Sequence, residues 1–170
     1  MKIGVISDTH GLLRPEARRA LAGCKLILHA GDVGHWEVLR DLRQIAPVVA
    51  VRGNVDTDDW AKFLPATEVA EVTLSRASKS AGPANSSTPH STLSFYLLHR
   101  LADLDLKPEA SGFAAVVYGH SHQPKIEWKN GVLYFNPGSA GPRRFALPVT
   151  LGLLQIVKGE VRPKIVTLLR

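Results

Sequence analysis

Four short polar motifs, each placed directly after a run of apolar residues, constrain most strongly what this chain can fold into. The motifs are Asp8–Gly11, Gly31–Asp32, Gly53–Asn54 and Gly119–His122. The runs before the first three are Lys2–Ile6, Lys25–His29 and Pro47–Val51. In open α/β sheets, ligands bind just past the carboxyl ends of the strands. The repetition therefore predicts that the side chains of these motifs line one shared pocket.

The first half of the chain alternates segments with strand and helix patterns. The predicted strands are Lys2–Ser7, Leu26–His29 and Val48–Val51, the predicted helices are Pro15–Leu21 and His35–Arg43, and a short turn or helix is expected near Asp58–Phe63. Proline in the first turn supports the first helix, and the helical spacing of Trp36, Leu39 and Leu42 supports the second. This βαβαβ order favours parallel strands joined by right-handed crossovers.

The second half is rich in strands. Those predicted are Glu68–Leu74, Thr92–Leu98, Ala114–Tyr118, Lys125–Trp128, Val132–Phe135, Val149–Val157 and Val161–Leu169. Asn130–Gly131 is a strong hairpin signal, and Lys158–Gly159 marks another turn. Because one open sheet would not hold so many strands, we expect an α/β protein whose two sheets form a β-sandwich flanked by helices.

The length of 170 residues predicts a single domain that spans residues 1–170. Within it, segment 75–91 is rich in Ser, Ala, Pro, Gly and Asn and has no periodicity, which predicts a flexible polar loop between two strands. The single cysteine, Cys24, excludes an internal disulfide. It is expected to pack as a small apolar residue.

The net charge of +6, from 21 basic and 15 acidic residues, suits a protein that gathers phosphate-bearing substrates. It would also suit nucleic-acid binding, but the basic residues are scattered without a long run. No apolar run approaches the roughly 18 residues that a membrane span requires, and Met1–Ile6 is too short for a signal peptide. We therefore expect a cytoplasmic protein with no membrane partner.

The motif side chains suit divalent metal ions. Two carboxylates, one amide and four imidazoles make a hard-to-borderline oxygen and nitrogen set of the kind that binds Mn, Fe or Zn. They belong to Asp8, Asp32, Asn54, His10, His99, His120 and His122. Asp32 follows a glycine and is the candidate to bridge two ions. Two ions about 3.5–4 Å apart can hold a water whose pKa falls towards about 7, and the resulting hydroxide would attack phosphorus in line with the leaving oxygen.

Each of these residues, taken alone, has an ordinary structural explanation. Asp8 is compatible with a turn cap, and Asn54 and Asp56 are compatible with helix caps. The pair His120 and His122 is harder to explain in this way, because alternation along a strand puts both side chains on one face. The combination of seven candidates is what favours a metal site.

The motifs together resemble the calcineurin-like metallophosphoesterase superfamily, and more closely its small single-domain branch of YfcE-type phosphodiesterases. The similarity runs nearly end to end through the sequences DTHG, HAGDV, GNVD, GHSH and NPGS, at positions 8–11, 29–33, 53–56, 119–122 and 136–139. The resemblance implies a β-sandwich with flanking helices. It also implies a metal-dependent phosphodiesterase that hydrolyses small phosphodiesters through hydroxide bound to two metal ions.

The resemblance further implies which residues hold each ion. One set is Asp8, His10, Asp32 and His122, and the other is Asp32, Asn54, His99 and His120. Asp32, Asn54 and His99 would form the catalytic set around the hydroxide. The usual metal of the family is Mn, with Fe, Zn, Ni or Mg as alternatives.

Other polar residues near the motifs are expected to support the site. Asn136–Ser139 is predicted to form a tight turn that buttresses Gly119–His122. His29 is predicted to pack behind the site, and His35 to cap a helix or lie at the surface. Arg143 and Arg144 are predicted as surface residues, with contact between one of them and a phosphate as the alternative.

Two positions depart from the family pattern. Arg100 follows His99 where the family usually has glycine, and this cation would either crowd the second metal or bind phosphate. Val55 follows Asn54, where larger relatives such as the Ser/Thr phosphatases have a histidine that helps the leaving group to depart. No replacement general acid is evident, so we expect modest turnover and a preference for good leaving groups and for diesters over monoesters.

Two other functions remain open at this stage. The same fold serves as the vacuolar sorting subunit of the retromer coat, where the metal site has degenerated, so a protein-interaction scaffold is one alternative. A nuclease is the other, although DNA-processing relatives usually carry extra DNA-binding domains. The complete ligand set favours the phosphodiesterase, nucleic acid is not the favoured partner, and the sequence does not predict an oligomeric state.

Overall fold

The computed structural model describes residues 1–74, 91–144 and 146–169. The strands are β1 (Lys2–Ile6), β2 (Leu26–His29), β3 (Val48–Ala50), β4 (Thr67–Leu74), β5 (Ser91–Leu98), β6 (Ala115–Val117), β7 (Lys125–Lys129), β8 (Val132–Asn136), β9 (Val149–Val157) and β10 (Glu160–Leu169). The helices are α1 (Pro15–Leu21) and α2 (Trp36–Arg43), with short 3₁₀ helices at Asp59–Phe63 and Leu101–Asp103.

The described strands form two five-stranded sheets of mixed direction. The first has the order β10-β9-β1-β2-β3, in which β1, β2 and β3 are parallel. The second has the order β4-β5-β6-β8-β7, in which β5, β6 and β8 are parallel. The polar motifs follow the carboxyl ends of these parallel strands, so this edge of the sandwich carries the candidate site.

The two sheets bury a shared apolar layer between them. The first sheet contributes Ile3 and Val5 from β1, and the second contributes Phe95, Leu97 and Phe135, all fully buried. Successive residues of a strand point to opposite faces. The inner faces of both sheets are therefore occupied by this core, and the polar motifs lie beyond it at the strand ends.

The outer face of the first sheet is covered by the two α-helices. Leu21 of α1 and Leu42 of α2 pack with Ile27 in a second buried cluster, which Cys24 joins as expected. The outer face of the second sheet is covered by a less regular segment that includes Phe113. No helix in the described ranges is both long and apolar enough to span a membrane.

The structure confirms the predicted β-sandwich and most of its elements. The hairpin turn after β7 has positive φ at both Asn130 (49°) and Gly131 (80°), as a two-residue turn of this kind requires. α2 begins at Trp36 instead of His35, because His35 has an extended backbone and caps the helix. The predicted polar loop at 75–91 is wrong at its last residue, since Ser91 pairs with Leu74 and begins β5. Residues 75–90 of that loop lie outside the described residues.

Candidate metal centre

The structure brings all seven predicted ligand residues to one edge of the sandwich. In the first sheet, Asp8 and His10 follow β1, Asp32 follows β2 and Asn54 follows β3, whereas His99 follows β5 and His120 and His122 follow β6 in the second sheet. They fall into two groups of converging donor atoms, which we call cluster A and cluster B.

Cluster A is formed by Asp8, His10 and His122. The Nε2 atoms of the two histidines lie 3.4 Å apart. The Nε2 atom of His122 lies 3.2 Å from the Oδ1 atom of Asp8. One donor atom from each of the three residues therefore lies within 4.8 Å of the others, a spacing suited to one metal ion.

Cluster B is formed by Asp32, Asn54, His99 and His120. The Oδ1 atom of Asn54 lies 3.0 Å from the Nε2 atom of His99 and 3.0 Å from the Nδ1 atom of His120. The Nε2 atom of His99 also lies 3.4 Å from the Oδ1 atom of Asp32. Oxygen and nitrogen donors thus converge from four strand ends.

Asp32 lies between the two clusters. Its Oδ1 atom faces His99, and its Oδ2 atom lies 3.9 Å from the Nε2 atom of His10 in cluster A. Asp8 also approaches Asp32 and His99 closely enough to share a cation with them. A carboxylate with one oxygen directed at each cluster is the arrangement that a bridging ligand requires.

The hydrogen-bonding state of His99 calls for a positive charge in cluster B. The Nδ1 atom of His99 lies 2.8 Å from the carbonyl oxygen of Ala30, which can only accept, so Nδ1 carries the proton. The Nε2 atom of the neutral ring then directs its lone pair at the oxygens of Asp32 and Asn54. Only a proton or a metal ion between these atoms makes the arrangement favourable.

Cluster A contains a matching unsatisfied oxygen. The Oδ1 atom of the fully buried Asp8 accepts no hydrogen bond from any residue that the structure describes, since the Nε2 atom of His122, 3.2 Å away, is not placed to donate to it. Leaving a buried carboxylate oxygen without a partner costs about 1–3 kcal/mol or more. The donors of both clusters therefore fit divalent cations of the Mn, Fe and Zn type.

Left-handed backbone conformations are concentrated at the candidate metal ligands. In the described part of the chain, seven non-glycine residues have positive φ, and five of them are candidate ligands with φ from 45° to 69°: Asp8, His10, Asp32, His120 and His122. Such a conformation costs about 1–3 kcal/mol per residue and persists only where the surroundings impose it. Strain of this kind is characteristic of functional sites.

Asp56 joins the loops after β2 and β3. Its buried carboxylate accepts hydrogen bonds from the backbone N–H groups of Val33 at 3.1 Å, Gly34 at 2.8 Å and Gly53 at 2.7 Å. The predicted role of Asp56 as a helix cap is therefore wrong, because its carboxylate binds the two loops together. Its position two residues after Asn54 was the available signal, but which N–H groups it would meet depends on the tertiary fold.

Two glycines allow the loops to approach each other closely. A Cβ atom on Gly53 would overlap with the carboxylate of Asp32, and one on Gly119 would overlap with the hydroxyl of Ser7. Ser7 in turn donates a hydrogen bond of 2.7 Å to the Oδ2 atom of Asp8. Glycine at both positions therefore lets the motif backbones pack directly against the carboxylate of Asp32 and the Ser7–Asp8 pair.

The turn after β8 supports the loop after β6, as predicted. The amide of Asn136 donates to the carbonyl of Gly119 at 2.9 Å and to the hydroxyl of Ser121 at 3.1 Å. Its Oδ1 atom accepts a hydrogen bond from the N–H of Gly138. Ser139 donates to the carbonyl of Asp8 at 3.0 Å, so this turn holds both sheets' motif loops.

His29 lies behind the site in a defined tautomer. The N–H of Gly31 donates to its Nδ1 atom at 3.3 Å, so the proton is on Nε2, which donates to the hydroxyl of Thr9 at 3.0 Å. The Thr9 hydroxyl in turn donates a hydrogen bond to the carbonyl oxygen of Val33. Complete burial lowers the pKa of His29 to about 4, so the ring is neutral and orients the loop that carries Asp8.

Burial, hydrogen bonds and nearby charges shift the pKa values of three candidate ligands, lowering two and raising one. Burial lowers the pKa of His10, and the nearby Arg144 guanidinium lowers it further. Burial alone would raise the pKa of Asp32, but hydrogen bonds from His99 and from the N–H of Val55 outweigh it and lower this pKa. Burial alone would lower the pKa of His99, yet its bonds to Asp32 and the Ala30 carbonyl raise it. An ionised Asp32 and a neutral His10 are the forms that bind metal ions.

The departures from the family pattern lie at the rim of the site. Arg100 is exposed and places its Nε atom 3.7 Å from the Oδ2 atom of Asp103. Val55 is 42% exposed and donates its backbone N–H to Asp32 at 3.0 Å. His35 is exposed and packs its ring over Gly11, next to the loop that carries His10.

Comparison with known proteins gives a consistent result. Residues 1–159 match the family described as Calcineurin-like phosphoesterase superfamily domain. A phosphodiesterase from Methanocaldococcus jannaschii is 26% identical over 95% of this chain and 97% of its own length. Phosphodiesterase YfcE from Escherichia coli K12 is 27% identical over 91% of this chain and 87% of its own length.

Solved structures with the same fold include a protein of a different kind. Vps29 from Entamoeba histolytica, crystallised in complex with zinc, superposes with a TM-score of 0.64 at 21% identity and covers 99% of both chains. At this identity the likeness shows the fold alone. The two-sheet sandwich is therefore shared between proteins named as phosphodiesterases and one named for vacuolar sorting.

Proposed function

The chain belongs to the calcineurin-like phosphoesterase superfamily, and we propose that it is a phosphodiesterase that uses two divalent metal ions, with Mn as the first candidate, to hydrolyse small phosphodiesters. Relatives named as phosphodiesterases support a phosphoesterase activity. The number of ions, their identity and the hydrolytic mechanism are part of the proposal. A single domain over residues 1–170 and a cytoplasmic location stay predictions from the sequence.

The observation that carries the proposal is the position of Asp32. One carboxylate oxygen faces His99 at 3.4 Å and the other faces His10 at 3.9 Å. A structural carboxylate would be satisfied by N–H donors on both oxygens, as Asp56 is. The arrangement at Asp32 instead favours two cations, one on each side.

In this proposal, cluster A with Asp32 holds one ion, and cluster B holds the other. Such ions, when bound, lower the pKa of water and neutralise the oxygens of a phosphate. Neighbouring residues hold the metal-donor atoms in place before any ion binds. The Ala30 carbonyl fixes the ring of His99, the Ser7 hydroxyl fixes the carboxylate of Asp8, and the Val55 N–H fixes that of Asp32.

This fixed arrangement is what a phosphoryl-transfer site requires. Catalysis of such reactions rests on positioning and on electrostatic stabilisation more than on covalent chemistry by the protein. Asp32, Asn54 and His99 form the proposed catalytic set because their donor atoms converge within cluster B. The exposed face of Asn54 and His120 leaves this cluster open to a substrate.

A protein-interaction scaffold is the second candidate function. The likeness of its fold to Vps29 supports it. The unsatisfied Asp8 oxygen and the His99 lone pair argue for a site that retains metal, so the phosphodiesterase is preferred. A nuclease has no support from a specific feature of the described residues.

The test is hydrolysis of bis-p-nitrophenyl phosphate by metal-stripped protein before and after Mn is restored. We expect activity only with a divalent ion, and a loss that exceeds about 100-fold in Asp32→Asn, because even residues behind metal ligands cost about 10–100-fold. Asp58→Asn, an exposed carboxylate beside the site loop, is the matched control and should keep full activity. A folded protein that is inactive with every divalent ion would contradict the phosphodiesterase proposal and favour the protein-interaction scaffold.

A further inference from the structure

The loop that follows β8 is fixed to the loop that carries Asp8. The N–H of Ala140 donates to the carbonyl oxygen of Ser7 at 3.1 Å. The hydroxyl of Ser139 donates to the carbonyl oxygen of Asp8 at 3.0 Å. The Nε atom of Arg14 donates to the carbonyl of Gly141 at 3.2 Å. The chain is therefore held firmly beside cluster A just before it reaches Arg143 and Arg144.

Gly141 brings this loop into direct backbone contact with the site. A Cβ atom at this position would overlap with the carbonyl oxygens of Asp8 and Thr9. A shallow recess next to the contact is lined by His122, Arg143 and Arg144. The two arginines thus stand at the mouth of the site, against a metal-facing histidine.

The side chains of Arg143 and Arg144 have no polar partner among the described residues. Both are exposed, and neither makes a side-chain hydrogen bond or an ion pair with any residue in the described ranges. By contrast, Arg100 at the opposite rim faces Asp103.

The charge of the proposed metal site does not require these arginines. Two divalent ions with the carboxylates of Asp8 and Asp32 and the proposed hydroxide leave one net positive charge, which already balances the single negative charge of a phosphodiester. Arg143 and Arg144 add further positive charge outside both clusters, beside His122. Arginine binds phosphate oxygens in a bidentate manner, which makes it suited to a separate phosphate group.

We infer that Arg143 and Arg144 form a second anion subsite, which binds a phosphate group other than the one that is hydrolysed. This inference rests on the proposed function and narrows its substrate class. The preferred substrate is a phosphodiester that carries an additional phosphate, such as a nucleotide ester with a further terminal phosphate. A simple diester occupies the metal centre alone.

The test uses two esters that differ only in the second phosphate: the 5′-(p-nitrophenyl phosphate) of thymidine, with and without a 3′-phosphate. In the Mn-loaded wild-type protein, we expect the 3′-phosphate to raise kcat/KM about tenfold, since one charge-assisted contact of about 1.4 kcal/mol corresponds to that factor. In the double variant Arg143→Ala/Arg144→Ala the ratio should fall to about one. Arg162→Ala, an exposed arginine at the other end of the sandwich, is the control and should keep the wild-type ratio.

A calorimetric titration separates failure of the subsite from failure of the proposed function. Thymidine 3′,5′-bisphosphate should bind the wild-type protein more tightly than thymidine 5′-monophosphate, at constant ionic strength, and this difference should vanish in the double variant. If neither ester is hydrolysed, the phosphodiesterase proposal fails while the titration still decides the subsite. An equal preference in wild-type and double-variant protein, by kinetics or by binding, would overturn the inference. Circular dichroism confirms that the variant is folded.

Discussion

His99 points its Nε2 atom at the Oδ1 atom of Asp32, 3.4 Å away, while its Nδ1–H donates to the Ala30 carbonyl at 2.8 Å. The two residues come from different sheets and meet only because both follow strands that end on the same edge. Without a cation between them, the ring must take up a proton, which is why its pKa is raised.

Replacing Asp56 by asparagine should destabilise the fold. The carboxylate accepts three backbone N–H bonds from two loops and is 5% exposed, so the substitution places an amide donor opposite N–H groups and removes the negative charge. We expect the free energy of unfolding to fall by about 2 kcal/mol, as measured by urea denaturation. Asp58→Asn, which makes no capping bond, should stay within about 0.5 kcal/mol of the wild type. Equal effects of both substitutions would contradict the role of Asp56.

The stability of the metal-free protein should depend on pH through His29. Its pKa is about 4 in the folded state and about 6.5 in the unfolded state, so below neutral pH the unfolded chain binds the proton that the folded chain excludes. The free energy of unfolding should therefore fall by about 2 kcal/mol between about pH 7 and pH 5 on account of this residue.

Urea denaturation at both pH values, in wild type and His29→Gln, isolates this contribution. Glutamine keeps a donor for Thr9 and does not titrate, so the variant should lose that part of the pH dependence. His99 is present in both proteins and has the opposite effect, because its raised pKa favours the folded state at low pH. An unchanged pH dependence in His29→Gln would show that His29 is not a buried neutral imidazole.

Replacing Gly53 by alanine should disturb the metal centre although no proposed ligand is replaced. The added Cβ atom would overlap with the carboxylate of Asp32 and force it to move. We expect the affinity for Mn to fall about 10–100-fold, in the range found when the supports of metal ligands are altered. Val55→Ala is the control, because it keeps the backbone N–H that binds Asp32. Calorimetry that gave equal Mn affinities for the two variants would argue against a positioning role for Gly53.

Because the position beside Asn54 lacks a general acid, the rate of hydrolysis should depend strongly on the leaving group. Val55 occupies the position next to Asn54 with an exposed side chain that has no proton to donate. We expect kcat/KM to fall steeply as the pKa of the leaving alcohol rises, and aryl diesters to be preferred over alkyl monoesters. Steady-state kinetics on a series of substituted phenyl diesters measures this slope. Faster cleavage of alkyl monoesters than of aryl diesters would reveal a proton donor that Val55 does not account for.

The sequence was sufficient for the fold because its local patterns agree with one another. The alternation of strands and helices up to Val51 predicts parallel β1, β2 and β3, and the signal Asn130–Gly131 predicts the hairpin of β7 and β8. Both are observed. Several strand boundaries differ by one residue from those predicted, among them Ser7, Val51 and Ala114. At His35 and Ser91, capping and cross-strand pairing decide where the element begins, which local propensity does not indicate.

The candidate site could be predicted as a set of residues but not as a geometry. The seven motif side chains converge because they follow parallel strands, which the apolar runs indicate. The left-handed backbone of Asp8 and Asp32 could not be foreseen, because neither residue signals positive φ as glycine does. The partners of Asp56 and the tautomer of His29 also depend on contacts between loops that are distant in the chain.

The most direct test of the central claim is the number of Mn ions that the metal-stripped protein binds, determined by calorimetric titration. Because Asp32 faces cluster A and cluster B with different oxygens, the wild type should bind two ions per chain. His99→Ala, which removes a donor of cluster B alone, should keep one ion at full affinity, whereas Asp32→Asn should weaken both. A wild-type protein that binds one ion or none, or a His99→Ala variant that still binds two with unchanged affinity, would contradict the two-ion site.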